Sequence, residues 1–377
     1  MKQSRGTSAS GLPSRVTISD VADALGVAKG TVSRALNNYP DISESTRRRV
    51  QRTADAMGYR PLAQAQAIRT GRSRAIGLVL QNDIVGAQRP FLSDFLAGVS
   101  KTASEASWTI TVAMSAGGEE MLATMKRLVD ERKADGFIVP RTFAQDERAD
   151  LLRRLDVPFV LYGRLREIGD CAWFDILGED AMHDAVLRLA SHGHSRIGFV
   201  NGGREYNFSA LREAGFRRGM AAAGLQVDED LVAHDAMTTE AGAAATTQFL
   251  NLELPPTAIV FAVDIAALGA YSAAREFGLV VGQDLSVISY DGIPECAWVQ
   301  PKLTSFRVDS KMAGCRLADL LIRRVRGEPS ATLRETAKAT LWPGGSDGPP
   351  RRTPSEIAHH IKVGLKRNSC EPMGGQA

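Results

Sequence analysis

The stretch from Thr17 to Leu36, TISDVADALGVAKGTVSRAL, decides how the first part of this chain folds. Ile18, Val21, Ala22 and Leu25 recur at i, i+3, i+4 and i+7, the spacing that gives a helix a single apolar face. Thr17 stands where a helix cap is needed, and Asp20 follows three residues later to answer it. Gly26 can take a positive φ and end that helix, after which the Val27 side chain plugs the corner. A second helix starts near Ala28 and turns Val32, Ala35 and Leu36 inward, leaving Lys29, Gly30, Thr31, Ser33, Arg34 and Asn37 on the outer face or its flanks. Two short helices joined by a glycine turn, the second lined with small polar residues and an arginine, form a helix-turn-helix whose second helix fits a DNA major groove.

The next segment, ISESTRRRVQRTADAMGYRP (residues 42–61), predicts a third helix capped by Ser43, with Val50, Ala54 and Met57 spaced to close a three-helix core. Arg47, Arg48, Arg49 and Arg52 crowd its first turns. One or two of them, Arg47 among them, are expected to touch the phosphate backbone, and the rest to be a solvated face. Charge agrees with this reading: residues 1–72 carry 12 Lys and Arg against 5 Asp and Glu, a net of +7, whereas the remainder nets −4. A small basic module on a mildly acidic body attracts a polyanion.

Composition narrows the rest. With 377 residues, 44% hydrophobic and 24% charged, the chain can build two or three domains with proper cores. No run approaches the ~20 apolar residues of a membrane span, and residues 1–15 read as an unstructured arm without the apolar centre of a secretory signal. The expected location is the cytoplasm, on the nucleoid, with no membrane partner. Cys171, Cys296, Cys315 and Cys370 lie far apart, without metal-site or disulfide-framework spacing, so reduced thiols are expected, with no metal and no cofactor.

The motifs VTISDVADALGVAKGTVSRALNNYPDISESTRRRV and MGYRP together resemble the DNA-binding domain of LacI/GalR-family transcriptional regulators, over residues 16–61. The resemblance implies that Lys29 and Gly30 are the pair that selects bases, that Thr31, Ser33 and Arg34 contact bases and phosphates, and that Asn37 ends the helix; Thr17 is counted with the DNA-contact set. Lys29 can donate to guanine O6 and N7, whereas Gly30 has no side chain to read with. Two positions depart from the family pattern: Ala28 stands where a capping Ser is usual, and Leu62 where an Asn is usual. The resemblance also implies a hinge helix within residues 62–72, ordered on the operator, with Ala65 as the hinge alanine and Ile68 as the side chain that wedges into the minor groove.

From Arg74 on, apolar runs (AIGLVL, TITVAM, GFIVP, PFVLYG, RIGFVNG, TAIVFAV, SVISYD) alternate with helical stretches near 91–106, 121–132, 179–191, 209–223, 239–250 and 265–277. That alternation predicts parallel sheets covered on both faces, with sites at the carboxyl ends of the strands. ADGFIVP, VPFVLYGR, LASHGHSRIGFVNG, ALREAGFRRGM and the run from TAIVFAVDIAALG to SYDGIP resemble the same family's effector domain. This implies a two-lobed α/β periplasmic-binding-protein-like body of type I over residues 73–342, with parallel sheets and three crossovers. Arg212, Asp264 and Asp291 are its polar effector candidates, and Phe91, Arg164, Trp173, Tyr206 and Trp298 weaker ones, with Phe208 beside them. Val263 replaces a usual polar contact. His192 and His194 in SHGHSR are read as structural. The tail, residues 343–377, is rich in Gly, Pro and charge and is expected to be disordered apart from a helical turn or two around Ile357 to Leu365.

The expectation is a homodimeric, non-enzymatic transcriptional regulator, a repressor, binding double-stranded operator DNA under control of a small effector, a sugar by resemblance. A nucleobase or nucleoside effector, or an activator or corepressor-dependent mode, stands as the alternative. A transport solute-binding protein would need an export signal and no basic N-terminal module. An enzyme would need a phosphate-binding glycine loop or a nucleophile with its base, and NGGREYN supplies neither.

Overall fold

The computed structural model describes residues 16–60, 71–81, 89–167 and 169–368. It falls into two units, up to Ser73 and from Arg74 onward. In the first, α1 (Ile18–Leu25), α2 (Lys29–Leu36) and α3 (Glu44–Ala56) bury Val21, Ala22, Val32, Ala35, Val50 and Ala54 in one small core. Thr17 and Asp20 form a reciprocal capping box, and Gly26 ends α1 at φ 63°. Ala28 caps α2 with no side-chain hydrogen bond. The expected hinge residues Ala65 and Ile68 lie outside the described residues.

The second unit has two lobes. The first lobe begins with β1 (Ala75–Gln81), α4 (Arg89–Glu105), β2 (Thr109–Ser115), α5 (Gly118–Asp130), β3 (Gly136–Pro140), α6 (Glu147–Arg154), β4 (Phe159–Tyr162) and β5 (Ala172–Ile176). The second follows with α7 (Gly178–Ser191), β6 (Ile197–Val200), α8 (Asn207–Ala222), β7 (Val232–Ala233), α9 (Thr239–Leu250), β8 (Ala258–Phe261), α10 (Asp264–Glu276), β9 (Ser286–Asp291) and β10 (Thr304–Arg307). The chain then returns through α11 (Ser310–Val325) and β11 (Arg334–Ala337) to lobe 1, and through β12 (Thr340–Trp342) and α12 (Pro354–Asn368) to lobe 2.

The sheets run β2-β1-β3-β4-β5-β11 and β7-β6-β8-β9-β10-β12, the same order in both lobes. All the ladders are parallel except β10 with β12. The chain passes between lobes at Ile176–Gly178, Arg307–Ser310 and Ala337–Thr340, the three crossovers expected. Each sheet is a buried layer. In lobe 1, α4 and α11 cover Ile76, Leu78, Ile138 and Phe174, and α5 with α6 cover Val79, Phe137 and Leu161. In lobe 2, α9, α10 and α12 cover Ile259, Phe261 and Val287, and α7 with α8 cover Phe199, Val260 and Ile288. The helix pairs approach closely: a Cβ at Gly242 of α9 would lie 1.9 Å from the Ala266 carbonyl oxygen of α10, a contact only glycine permits.

The tail corrects the sequence reading. Residues 343–368 are folded onto lobe 2. The Ser346 hydroxyl donates to the Val287 carbonyl at 2.5 Å and accepts from the Thr304 amide at 2.8 Å; Asp347 accepts from Arg188 and from the Thr304 hydroxyl, both at 2.6 Å. Helix α12 then buries Ile357, Ala358 and Ile361 in the lobe 2 core. Gly and Pro give this segment the composition of a disordered tail, but its polar groups find partners along β9 and β10, and three apolar residues on one helical face complete the docking. His194 is structural as expected: it is buried, with Nδ1 2.8 Å from the Thr257 hydroxyl and Nε2 2.8 Å from the Gly348 carbonyl, and burial lowers its pKa.

Candidate DNA-reading helix and effector cleft

On α2, Lys29, Gly30 and Arg34 are exposed, and Thr31, Ser33 and Asn37 half-buried, so the predicted contact set shares one face and its flanks. The Asn37 amide donates to the Ser33 carbonyl at 2.7 Å and closes the helix. Arg34 is held in position by Asp41 at 2.5 Å and by the Tyr39 ring, its centroid 5.3 Å away, while still about half exposed. Arg47 of α3 is half-buried. Its guanidinium donates to the carbonyls of Tyr39 at 3.0 Å and Ile42 at 3.3 Å, so it ties the α2–α3 loop together. Arg49 and Arg52 are exposed on α3.

The carboxyl ends of the two sheets meet at the cleft between the lobes, where Asn207 N reaches Thr142 O at 3.0 Å and the Tyr290 hydroxyl donates to the Ile176 carbonyl at 3.3 Å, the position where open α/β sheets hold ligands. Arg212 of α8 lies in it, 11% exposed, donating to the Ala262 carbonyl at 2.5 Å, 3.7 Å from Asp291, and stacked over Phe208 and Tyr290 with centroids at 4.5 and 4.0 Å. Its Nε is buried and finds no acceptor among the described residues. Asp291 ends β9 at φ 126°, a conformation few side chains adopt, and its carboxylate remains 29% exposed. Burial pushes the Asp291 carboxyl up to about 7; Arg212 pulls it down, Asp264 pushes it further up and Arg141 lowers it.

Several candidates are engaged within the protein or lie away from the cleft. Asp264 is fully buried: it accepts hydrogen bonds from the hydroxyls of Ser289 and Ser305, the amides of Gly292 and Ile293 and the Cys296 thiol. With every lone pair engaged in fixing the β9–β10 turn, it has none for a ligand, which corrects its assignment. Arg164 is committed to Asp175 at 2.6 Å and to Glu179 of the opposite lobe. Trp173 packs against the α5/α6 core on the far face of sheet 1, because alternate residues of β5 point to opposite faces. Trp298 follows a short 3₁₀ turn, 75% exposed, with no side-chain hydrogen bond or ring contact among the described residues. Phe91 sits in the first turn of α4, and its side chain is outside the described residues.

Tyr206 does reach the cleft, 8% exposed, in a row of stacked rings: Phe143 at 5.2 Å on one side and Phe208 at 5.3 Å on the other. Phe143 belongs to lobe 1, the other two to lobe 2. Backbone bonds join the same segments: Asn207 N to Thr142 O at 3.0 Å and Ala144 N to Glu205 O at 2.8 Å. These contacts tie the two lobes together across the cleft. The sequence reading passed over Arg141, Phe143, Glu179 and Asn207. Arg141 carried the one usable signal, as a charged residue directly after the buried run GFIVP.

Comparison with known proteins agrees with this arrangement. Residues 17–61 match the family described as bacterial regulatory proteins, lacI family, and residues 186–346 match a periplasmic binding protein-like domain. The chain is 35% identical to the HTH-type transcriptional regulator AglR of Rhizobium meliloti (strain 1021), over 90% of this chain and 96% of that protein. It is 31% identical to the repressor CytR of Escherichia coli (strain K12), over 83% and 90%. Among solved structures, a Lac repressor dimer bound to operator and the anti-inducer ONPF matches with a TM-score of 0.74 at 26% identity, over 89% of this chain and all of that one. A CelR–cellobiose complex matches at 0.68 and 27%, over 88% and 100%. A reading helix on a basic three-helix unit, followed by a two-lobed body with a polar cleft, makes this chain an effector-controlled DNA-binding regulator rather than an enzyme, and it belongs to the lacI family of bacterial regulatory proteins.

Proposed function

We propose that the chain is a repressor that binds a pseudo-palindromic operator as a homodimer and responds to a sugar held between its lobes. The observation that carries the sugar reading is the Arg212–Asp291 pair beside aromatic rings at the carboxyl ends of the strands. A guanidinium donates and a carboxylate accepts, so together they match hydroxyls that do both, and aromatic rings cover the apolar face of a pyranose. Lys29 and its neighbours on α2 read bases, with exposed arginines of α3 on phosphates. Dimerisation follows from the short reading helix, which spans only a few base pairs. The site of action is the nucleoid. The likeness to a solved CelR–cellobiose complex supports a carbohydrate effector.

The test is a thermal-shift screen of the full-length protein against mono- and disaccharides, trisaccharides, nucleosides and nucleobases. A sugar that raises the melting temperature in a concentration-dependent way supports the reading through linkage. A nucleoside that does so while every sugar fails would replace it.

A further inference from the structure

Arg141 stands immediately after β3, in lobe 1, with its backbone at φ 50°. Its loop is pinned by a buried ion pair. Arg148 and Asp146, 8% and 0% exposed, meet at 2.6 Å; Arg148 also donates to the Arg141 carbonyl at 2.8 Å, and Asp146 accepts the Phe143 amide at 3.1 Å. Phe143 in turn stacks on Tyr206 across the cleft, and the Arg141 guanidinium lies over that same Tyr206 ring, 5.7 Å from its centroid. Three other arginines of this region have carboxylates: Arg148 has Asp146, Arg164 has Asp175 and Glu179, and Arg212 has Asp291. Arg141 enters no ion pair among the described residues, and burial lowers its pKa while Tyr206 and Asp291 oppose the shift.

An arginine fixed in a cleft without a carboxylate keeps donors for something else. We propose that Arg141 is the donor through which lobe 1 grips a neutral sugar, opposite the Arg212–Asp291 pair of lobe 2. The inference rests on the sugar reading above and adds the residue that makes the ligand span both lobes. Neutrality follows from the formal charges around the cleft: the guanidiniums of Arg141, Arg164 and Arg212 are balanced by the carboxylates of Asp175, Glu179 and Asp291, so an acidic sugar would leave unbalanced negative charge. A guanidinium reaches two adjacent hydroxyl oxygens at once, so the grip selects for the configuration of a vicinal diol.

The test is calorimetric titration of full-length protein and of Arg141→Gln and Arg141→Lys with maltose, cellobiose and raffinose, followed by single-deoxy analogues of whichever binds, and by the matching uronic acid. The expected result is a loss of at least about tenfold in affinity in Arg141→Gln, with partial rescue by lysine. One deoxy analogue should bind the wild type more weakly, yet bind Arg141→Gln as well as the parent sugar does. That selective insensitivity reports contact, which a purely structural role would not produce. Unchanged affinity in both variants, or equal losses for every deoxy analogue in all three proteins, overturns the assignment and leaves the sugar reading standing. Tighter binding of the uronic acid overturns neutrality. Failure of every sugar with the wild type removes the sugar reading and this inference together.

Discussion

Arg164 of lobe 1 and Glu179 of lobe 2 form an ion pair across the cleft, beside the backbone bonds from Asn207 to Thr142 and from Ala144 to Glu205. Both side chains are mostly buried, so the pair is weakly screened and helps hold the lobes together. Replacing Glu179 with Gln removes the charge and keeps the shape. Hydrogen exchange at the amides of Ala144 and Asn207 should then quicken by about tenfold, with the β-strand cores unchanged. Equal protection in both proteins would mean the ion pair does not hold the lobes together.

Asp291 links the cleft to pH. Its folded pKa is raised to about 7, above the ordinary carboxylate value, so the native state binds a proton more tightly than the unfolded chain. The stabilisation this gives is complete below about pH 4 and is lost as pH rises through about 7. Asp291→Asn should therefore gain melting temperature relative to wild type as pH is raised across that window. The sugar should bind wild type more tightly at pH 8 than at pH 6, since the carboxylate accepts hydrogen bonds from hydroxyls more strongly than the protonated acid does. Parallel melting curves for the two proteins across this range would contradict the assignment.

Asp264 is predicted to matter for folding rather than for recognition. Asn at this position turns an NH₂ toward donors already aimed at the carboxylate. The cost should be about 3 kcal/mol or more in chemical denaturation. At temperatures where the variant remains folded, its sugar affinity should match wild type. A selective loss of sugar binding without loss of stability would restore Asp264 to the effector set.

At the other end of the chain, Ala28 leaves the first turn of the reading helix without a side-chain cap. Ala28→Ser should stabilise the N-terminal unit by roughly 0.5–1 kcal/mol, seen as slower hydrogen exchange in α1–α3. No change in exchange would show that this turn gains nothing from a serine hydroxyl.

How much of this could be read from the residues alone varies with the physics involved. The three-helix unit was almost wholly legible, because caps, a glycine turn and i, i+3, i+4 spacing are local signals. The alternating strands and helices of the body were legible for the same reason, within a residue or three at most ends. Helix α6 and helix α11 were not picked out: ERADLLRR is short and polar, and SKMAGCRLADLLIRRV follows a crossover that the sequence does not mark. The tail misled because composition reports the chance of disorder, whereas docking of Ile357 and Ile361 depends on a groove formed by distant residues. Asp264 and Asp291 look alike as acidic residues after apolar runs. What separates them is the set of donors supplied by Ser289, Ser305 and the turn at Gly292, which only the folded chain brings together. The Arg164 charge is engaged by Asp175 and Glu179, partners that only the folded chain brings to it.

The most direct test of the whole account couples its two halves. Full-length protein is titrated onto a fluorescent duplex enriched by selection from a random pool, and the titration is repeated with saturating sugar identified by thermal shift. The account predicts saturable binding to the selected duplex that weakens steeply with salt, and a change of roughly fivefold to a hundredfold in affinity when the sugar is present. Sugar binding that leaves the duplex affinity unaltered, with both ligands bound at once, would contradict effector control through the cleft.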